Sequence, residues 1–286
     1  MMNAMTRRTL LSTAAAAPAL LPAQAPTVRK PKGTLKQGVT SGCFGRGTPF
    51  EVMCWEAQRM GFQCFDLRSV NDFPMLKKYG LTPTVVGGGG GNIAEALCRK
   101  QNHDAIEKSM RELINKCAEA GAHSLITFSG ERKGMSDAEG ADNTVAFLNK
   151  IKAQAEDKGV TIILELLNSK VNHPDYMADH TKWGVDVMKR VNSPRCKLLY
   201  DIYHMQIMEG DLMRTIKENI QWIGHFHTAG NPGRNQLDEN QEIQYRPIAK
   251  LLVELKYDGF LSHEYSPTRG ADPIKHLEQA FEICDV

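Results

Sequence analysis

The chain has 286 residues, with 35 Lys and Arg against 33 Asp and Glu, and a formal charge of +2. That balance gives no electrostatic footprint for nucleic acid or for an anionic membrane surface. Seven cysteines, at 43, 54, 64, 98, 117, 196 and 284, form no C-x-x-C pair; their odd number and scatter argue against a disulfide framework or a zinc–thiolate site, and for buried small apolar side chains.

The chain opens with Arg7 and Arg8, an apolar run of small residues, and Ala23-Gln24-Ala25, all ahead of Glu51, the first acidic residue. A basic segment, a short apolar core and an A-x-A site read as a cleavable leader over 1–25, and the paired arginines point to twin-arginine export. The apolar run falls well short of the ~20 residues that span a bilayer, so no stable membrane insertion is expected after cleavage. The expected location is periplasmic. Removing residues 1–25 of the 286 leaves 261, with 33 basic and 33 acidic residues once Arg7 and Arg8 are gone. That length suits one (β/α)8 barrel. A basic linker, 26–37, is expected before it.

From there β-rich runs alternate with helical patterns. Eight runs read as strands: GVTSGCF (38–44), QCFDLR (63–68), TPTVVG (82–87), HSLITFS (123–129), VTIILELL (160–167), KLLYDIY (197–203), IGHFHT (223–228) and FLSHEY (260–265). Between them, helices are expected over 49–60, 102–120, 137–158, 180–191, 211–219, 245–256 and 273–283, on a 3.6-residue apolar period. Glycine often follows a helix end, as at Gly61, Gly121 and Gly159, where the left-handed conformation stops the helix. Strand–helix alternation over the whole length predicts an α/β fold, a single (β/α)8 TIM barrel over 38–286. An open doubly wound sheet is the competitor, but no G-x-G-x-x-G follows the first strand. Gly87–Gly91 lacks a following Gly-Lys-Ser/Thr and reads as a flexible βα loop.

Barrel enzymes carry their chemistry at the C-terminal strand ends. Glu165 in IILELLN, Asp201 in LLYDIYH, His227 in GHFHTAG and Glu264 in LSHEYSP lie on the last four strands, 36, 26 and 37 residues apart. A carboxylate inside IILELL needs a cation, a partner or a proton, because a buried unpaired charge costs several kcal/mol. Three carboxylates and one imidazole make a hard site that favours Mn2+ or Mg2+, with Co2+, Fe2+ or Zn2+ also fitting. A metal-free carboxylate pair of the glycosidase kind leaves the histidine unexplained. His225 points to the same face as His227 but lies one layer deeper, in a supporting position. His263 alternates with Glu264 and faces behind the barrel wall.

With these motifs in view, the chain resembles the xylose isomerase-like barrels, the sugar phosphate isomerase/epimerase superfamily. HFHTAGNPGRNQLDENQEIQYRPI, then L-x-x-L-x-Y-D-G-F and H-E-Y-S-P, are most similar to hydroxypyruvate isomerases. The resemblance implies that Glu165, Asp201, His227 and Glu264 hold a divalent metal, and that Glu165 and Glu264 exchange substrate protons through a metal-stabilised enediolate. It implies substrate contacts from His204 and Arg234. The implied partner is a small carbohydrate or hydroxy-keto acid, and homo-oligomerisation stays open. His227 stands where hydroxypyruvate isomerases often carry Gln, and Asp66 where many relatives carry Glu. A lyase or hydrolase acting on oxidised (keto) sugars or glycosides outside the cytoplasm is the alternative activity. An endonuclease for damaged DNA is opposed by the neutral charge, and a non-catalytic sugar-binding module by the intact glutamate pair.

Overall fold

The computed structural model describes residues 27–286; the expected leader, 1–25, lies outside them. Among the described residues nine parallel strands form one sheet: β1 (Lys36–Val39), β2 (Cys64–Asp66), β3 (Thr82–Thr84), β4 (Val86–Gly90), β5 (Ser124–Thr127), β6 (Thr161–Leu166), β7 (Cys196–Asp201), β8 (Ile223–Thr228) and β9 (Phe260–His263). Their order is β3-β2-β1-β9-β8-β7-β6-β5-β4. The two outermost strands, β3 and β4, are consecutive in the chain and joined through Val85, whose φ is 52°. They are two halves of one stave, so the sheet closes into an eight-stave barrel. Its helices are α1 (Phe50–Met60), α2 (Phe73–Lys78), α3 (His103–Ala120), α4 (Asp137–Lys158), α5 (Thr181–Val191), α6 (Ile202–Met208), α7 (Leu212–Asn219), α8 (Tyr245–Glu254) and α9 (Pro273–Cys284).

Several boundaries shift for identifiable reasons. The stave expected over 38–44 is β1 followed by a 3-10 turn, Ser41–Phe44. The stave expected to reach Tyr203 stops at Asp201, whose side chain accepts the His204 N–H and so caps α6. The glycine run expected as a loop is mostly strand β4. A Cβ at Gly90 would sit 2.3 Å from the Ile126 carbonyl oxygen, and one at Gly89 2.5 Å from the Leu113 side chain. The glycines let this stave lie hard against β5 and α3. Residues ahead of β1 are tied to α1 and to the C-terminal end of the fold: the Arg29 N–H donates to the Arg59 carbonyl, and the Lys32 and Gly33 N–H groups donate to Asp285 Oδ1. All seven cysteines are buried and unbridged. No helix among the described residues is long and apolar enough to cross a membrane.

Side chains alternate across each stave, and register sorts the inward ones into layers. Ile126 pairs with Ile163, Glu165 with Leu199, Leu199 with His225, and Asp201 with His227. Val85, Ile126, Ile163 and Leu199 form an apolar cluster inside the barrel, separate from the larger core under the helices. The opposite side of the interior is narrow and polar: a Cβ on Gly38 would fall 2.1 Å from Cys64 Sγ and 2.3 Å from Ser262 Oγ.

His263 faces the helix side, edge-on to Phe62. Gln37 spends its amide N–H on the Phe281 carbonyl, which leaves its oxygen to accept from His263 Nε2; Thr228 Oγ1 then donates to Nδ1. Both ring nitrogens are satisfied in the neutral form, and burial pushes the imidazole from 6.5 down to about 3. Because the folded value lies below the unfolded one, this stabilisation is complete above pH 6.5 and is lost as the pH falls towards 3. In urea unfolding, His263→Gln is expected to be less stable than wild type at pH 7 by about 1–3 kcal/mol, and to lose less stability than wild type on moving to pH 5. Equal losses would contradict the assignment.

Candidate metal centre

The ends of β6, β7, β8 and β9 deliver Glu165, Asp201, His227 and Glu264 to one point, with one donor atom of each lying within 4.8 Å of all the others. Strand β9 ends one residue before Glu264, but the Glu264 N–H still donates to the Thr228 carbonyl at 2.9 Å, so the barrel pleat continues and aims the side chain inward. Asp201 and His227 are fully buried and Glu165 is nearly so, while the Glu264 side chain keeps 21% exposure. Glu264 is therefore the acid at the mouth, and Glu165 the one at depth.

His227 is clamped from behind. Asp66, at the end of β2, places Oδ2 3.1 Å from His227 Nε2 and 2.7 Å from His225 Nε2. An ionised carboxylate only accepts, so both histidines carry their proton on Nε2 towards Asp66. Asp66 is held well below the usual carboxylate range: burial opposes ionisation, but the two histidines outweigh it. His227 Nδ1 then faces the carboxylates, 2.7 Å from Glu264 Oε2 and 3.7 Å from Glu165 Oε1. Neither contact has hydrogen-bond alignment, and Nδ1 is a buried nitrogen with no hydrogen-bond partner. A lone pair aimed at converging carboxylate oxygens suits a cation between them.

Arg234 arrives from the loop after β8 at a positive φ of 55°. Its Nη2 donates to Asp201 Oδ2 at 3.0 Å and Glu264 Oε2 at 2.8 Å. Asp238, four residues on, does not join it and bonds Gln236 and Asn240. Three carboxylates against one guanidinium leave a formal charge of −2 around a neutral His227, which one divalent ion balances. Without a cation the site gathers protons. Burial, then the Glu264 and Asp201 charges, push Glu165 up to about 7 against the pull of His227. His227 itself is raised well above 6.5: burial opposes its charge, but Glu264, Asp66 and Glu165 prevail. The donor set thus fits a divalent cation.

His204 lies in the first turn of α6, not on the strand. Its Nδ1 accepts the Asn168 backbone N–H at 3.1 Å, which puts the ring proton on Nε2. That Nε2 is buried without a partner, 3.7 Å from Asp201 Oδ2. Burial first, then the Arg234 charge, keep the ring neutral. His204 therefore offers one N–H donor at the edge of the carboxylate cluster. Glu242 sits outside this group, accepting from Asn231 and Gln206. All six candidate residues come together. What sequence reasoning missed is Asp66 as the shared acceptor behind His225 and His227. The same signal, an acid among apolar neighbours at a strand end, was present in CFDL.

The fold is an α/β barrel whose C-terminal mouth gathers three carboxylates and an imidazole, a donor set that could hold a divalent cation. The chain is a member of the xylose isomerase-like TIM barrel family, whose sequence profile matches residues 44–284. It is 34% identical to a 2-oxo-tetronate isomerase of Cupriavidus necator over 41% of this chain and 44% of that one. It is 35% identical to the hydroxypyruvate isomerase of Escherichia coli over 36% of this chain and 40% of that one. The match therefore spans less than half the length of these relatives. A solved structure described as an AP endonuclease, family 2, from Brucella melitensis superposes with a TM-score of 0.73 at 24% identity, covering 84% of this chain and 96% of that one; at that identity it shows the shared fold alone.

Two outcomes follow. Asp66→Asn is expected to weaken Mn2+ binding by about 10- to 100-fold in calorimetric titration, because Nδ1 loses its fixed orientation; unchanged affinity would show that Asp66 does not position His227. Mn2+ binding to the wild type is expected to release protons, detected as a dependence of the binding heat on buffer ionisation enthalpy near pH 7. A buffer-independent heat would contradict protonation of the ion-free cluster.

Proposed function

We propose that the protein is a divalent-metal-dependent isomerase or epimerase of a small hydroxy-oxo compound, close in chemistry to the hydroxypyruvate and 2-oxo-tetronate isomerases it resembles in part. The observation that carries this reading is the pair Glu165 and Glu264 on two sides of one imidazole, one at depth and one at the mouth, with Arg234 beside them. For Glu264, burial opposes ionisation, but the His227 and Arg234 charges outweigh it. Two carboxyl groups facing one site from different depths suit the removal and return of one proton.

Glu165, Asp201, His227 and Glu264 would hold the ion, and Mn2+ or Mg2+ fits this oxygen-rich set. A bound ion would supply positive charge beside the substrate carbonyl and its neighbouring hydroxyl. The rest falls to the side chains. Glu264, ionised at the mouth, removes the proton from the carbon next to the carbonyl, and that C–H electron pair becomes the new C=C bond. The carbonyl π pair moves onto oxygen, where Arg234 and the His204 Nε2–H donate to the developing charge. Return of a proton to the neighbouring carbon isomerises the compound; return from Glu165 to the opposite face of the same carbon epimerises it. The hydroxyl and carbonyl exchange their proton in the isomerising case, so no atom is gained or lost. We also propose a location outside the cytoplasm, which rests on the leader expected from the sequence of residues 1–25.

Glu264→Gln keeps an oxygen near the ion but removes the base. It is expected to lower turnover by about 100- to 10,000-fold in an assay of deuterium uptake from D2O by NMR, using Mn2+ and a panel of hydroxypyruvate, ketoses and keto-glycosides. A variant with both metal and full exchange would sink the assignment.

A further inference from the structure

Beside the metal centre a cleft of 370 Å³ opens to solvent, lined by Ser41, Leu67, Arg68, Arg234, Glu264 and Tyr265 among others. Glu264 and Arg234 form its inner end. Arg68, which takes no part in the metal centre, forms its wall. Three observations make Arg68 a built feature of the cleft and not a solvated surface residue.

The first is fixation. Arg68 Nε donates to Asp72 Oδ2 at 3.1 Å, Nη2 lies 3.0 Å from the same oxygen, and Nη1 donates to Ser41 Oγ at 3.0 Å. The guanidinium also stacks on Phe50, 4.0 Å from the ring centroid, and Phe50 is held edge-on by buried Phe65. A guanidinium has five N–H donors, so these contacts leave donors on both Nη atoms without an acceptor among the described residues. The second is backbone strain. Leu67 has a φ of 58°, an uncommon conformation for a leucine, and its N–H donates to the carbonyl of Val85, itself at 52°. The reversal at Leu67 separates Asp66, which faces the barrel interior, from Arg68, which turns over Ser41 at the mouth. Strain of this kind persists where the surroundings over-determine it, commonly at ligand sites. The third is that Leu67, at 38% exposure, leaves an apolar wall open between the two arginines' cleft and solvent.

We propose that Arg68 is a specificity-determining residue that binds the carboxylate of a small hydroxy-oxo acid, so that the substrates of this site are anions and not neutral sugars. The inference rests on the isomerase or epimerase reading for the position of the reacting carbons, and adds what holds the far end of the substrate. A planar, fixed guanidinium with free terminal N–H groups matches a carboxylate in two-point contact. Arg68, Arg234 and Glu264 line the same cleft, so a small acid whose hydroxy-carbonyl end meets Arg234 and Glu264 can present its carboxylate to Arg68. Asp72 balances the guanidinium charge without filling those terminal donors.

The test is calorimetric titration of the Mn2+-loaded full chain with hydroxypyruvate and with dihydroxyacetone, which keeps the hydroxyketone and replaces the carboxylate by a hydroxymethyl group. Wild type is expected to bind hydroxypyruvate at least about 10-fold more tightly. In Arg68→Gln that preference is expected to fall by roughly 10- to 100-fold, with Arg68→Lys retaining part of it. Mn2+ affinity within about 3-fold of wild type, well inside the 10- to 100-fold loss expected when a ligand's support is removed, verifies that the variants are folded; if Arg68→Gln fails this control, Ser41→Ala, expected to lower the same preference, replaces it. An unchanged preference in the variants, or none in wild type, overturns the proposal. Deuterium exchange separates the two readings. Arg68-dependent hydroxypyruvate binding with no exchange leaves the anion site standing and removes the isomerase reading, whereas exchange that is indifferent to Arg68 does the reverse.

Discussion

Three carboxylates sharing one buried point set the terms for the rest of this barrel. Like charges about 4 Å apart repel by about 4 kcal/mol per pair at an effective dielectric of 20. Three such pairs approach the 5–15 kcal/mol by which a whole domain is stable. Glu165, Asp201 and Glu264 meet within 4.8 Å of one another with His227 among them. Among the described residues one fixed countercharge, Arg234, reaches the cluster, and the remaining balance falls to protons or a divalent ion. Retention of a cluster this costly on four successive staves is intelligible as ion binding and awkward as structural ion pairing.

The support for the cluster comes from across the barrel. Asp66 belongs to β2, and through one oxygen it orders two histidines of β8 more than 150 residues away in sequence. Each strand end therefore does two jobs. Asp201 faces the cluster and caps α6, which brings His204 to the site. Asp66 fixes the imidazoles, and the reversed backbone just after it turns Arg68 over the mouth. The candidate site and the local fold therefore draw on the same residues.

Much of this was legible in the sequence. Eight staves, seven of the helices and the four converging residues followed from apolar periodicity and from acids placed where acids are expensive. The position of His227 nearer the mouth than His225 followed from strand alternation. What was not legible depends on pairings between distant segments. The two faces of each histidine are decided by Asp66 on another stave. The glycines at 87–90 lack side chains to betray a strand, and at Gly89 and Gly90 β5 and α3 leave room for nothing larger. α2 and α6 are short, and α6 begins inside what reads as a continuous β run. The break at Val85 and the turn at Leu67 fall on apolar residues whose type does not announce them.

The central claim is that one divalent ion is held by these four side chains, with His227 binding through Nδ1 while Nε2 stays on Asp66. A crystal structure of the full chain with Mn2+, read by anomalous scattering at the manganese edge, tests it most directly. The account predicts one strong peak per chain, at about 2.0–2.3 Å from oxygens of Glu165, Asp201 and Glu264 and from His227 Nδ1. A peak on His227 Nε2 or elsewhere in the barrel, or no peak at millimolar Mn2+, would contradict it.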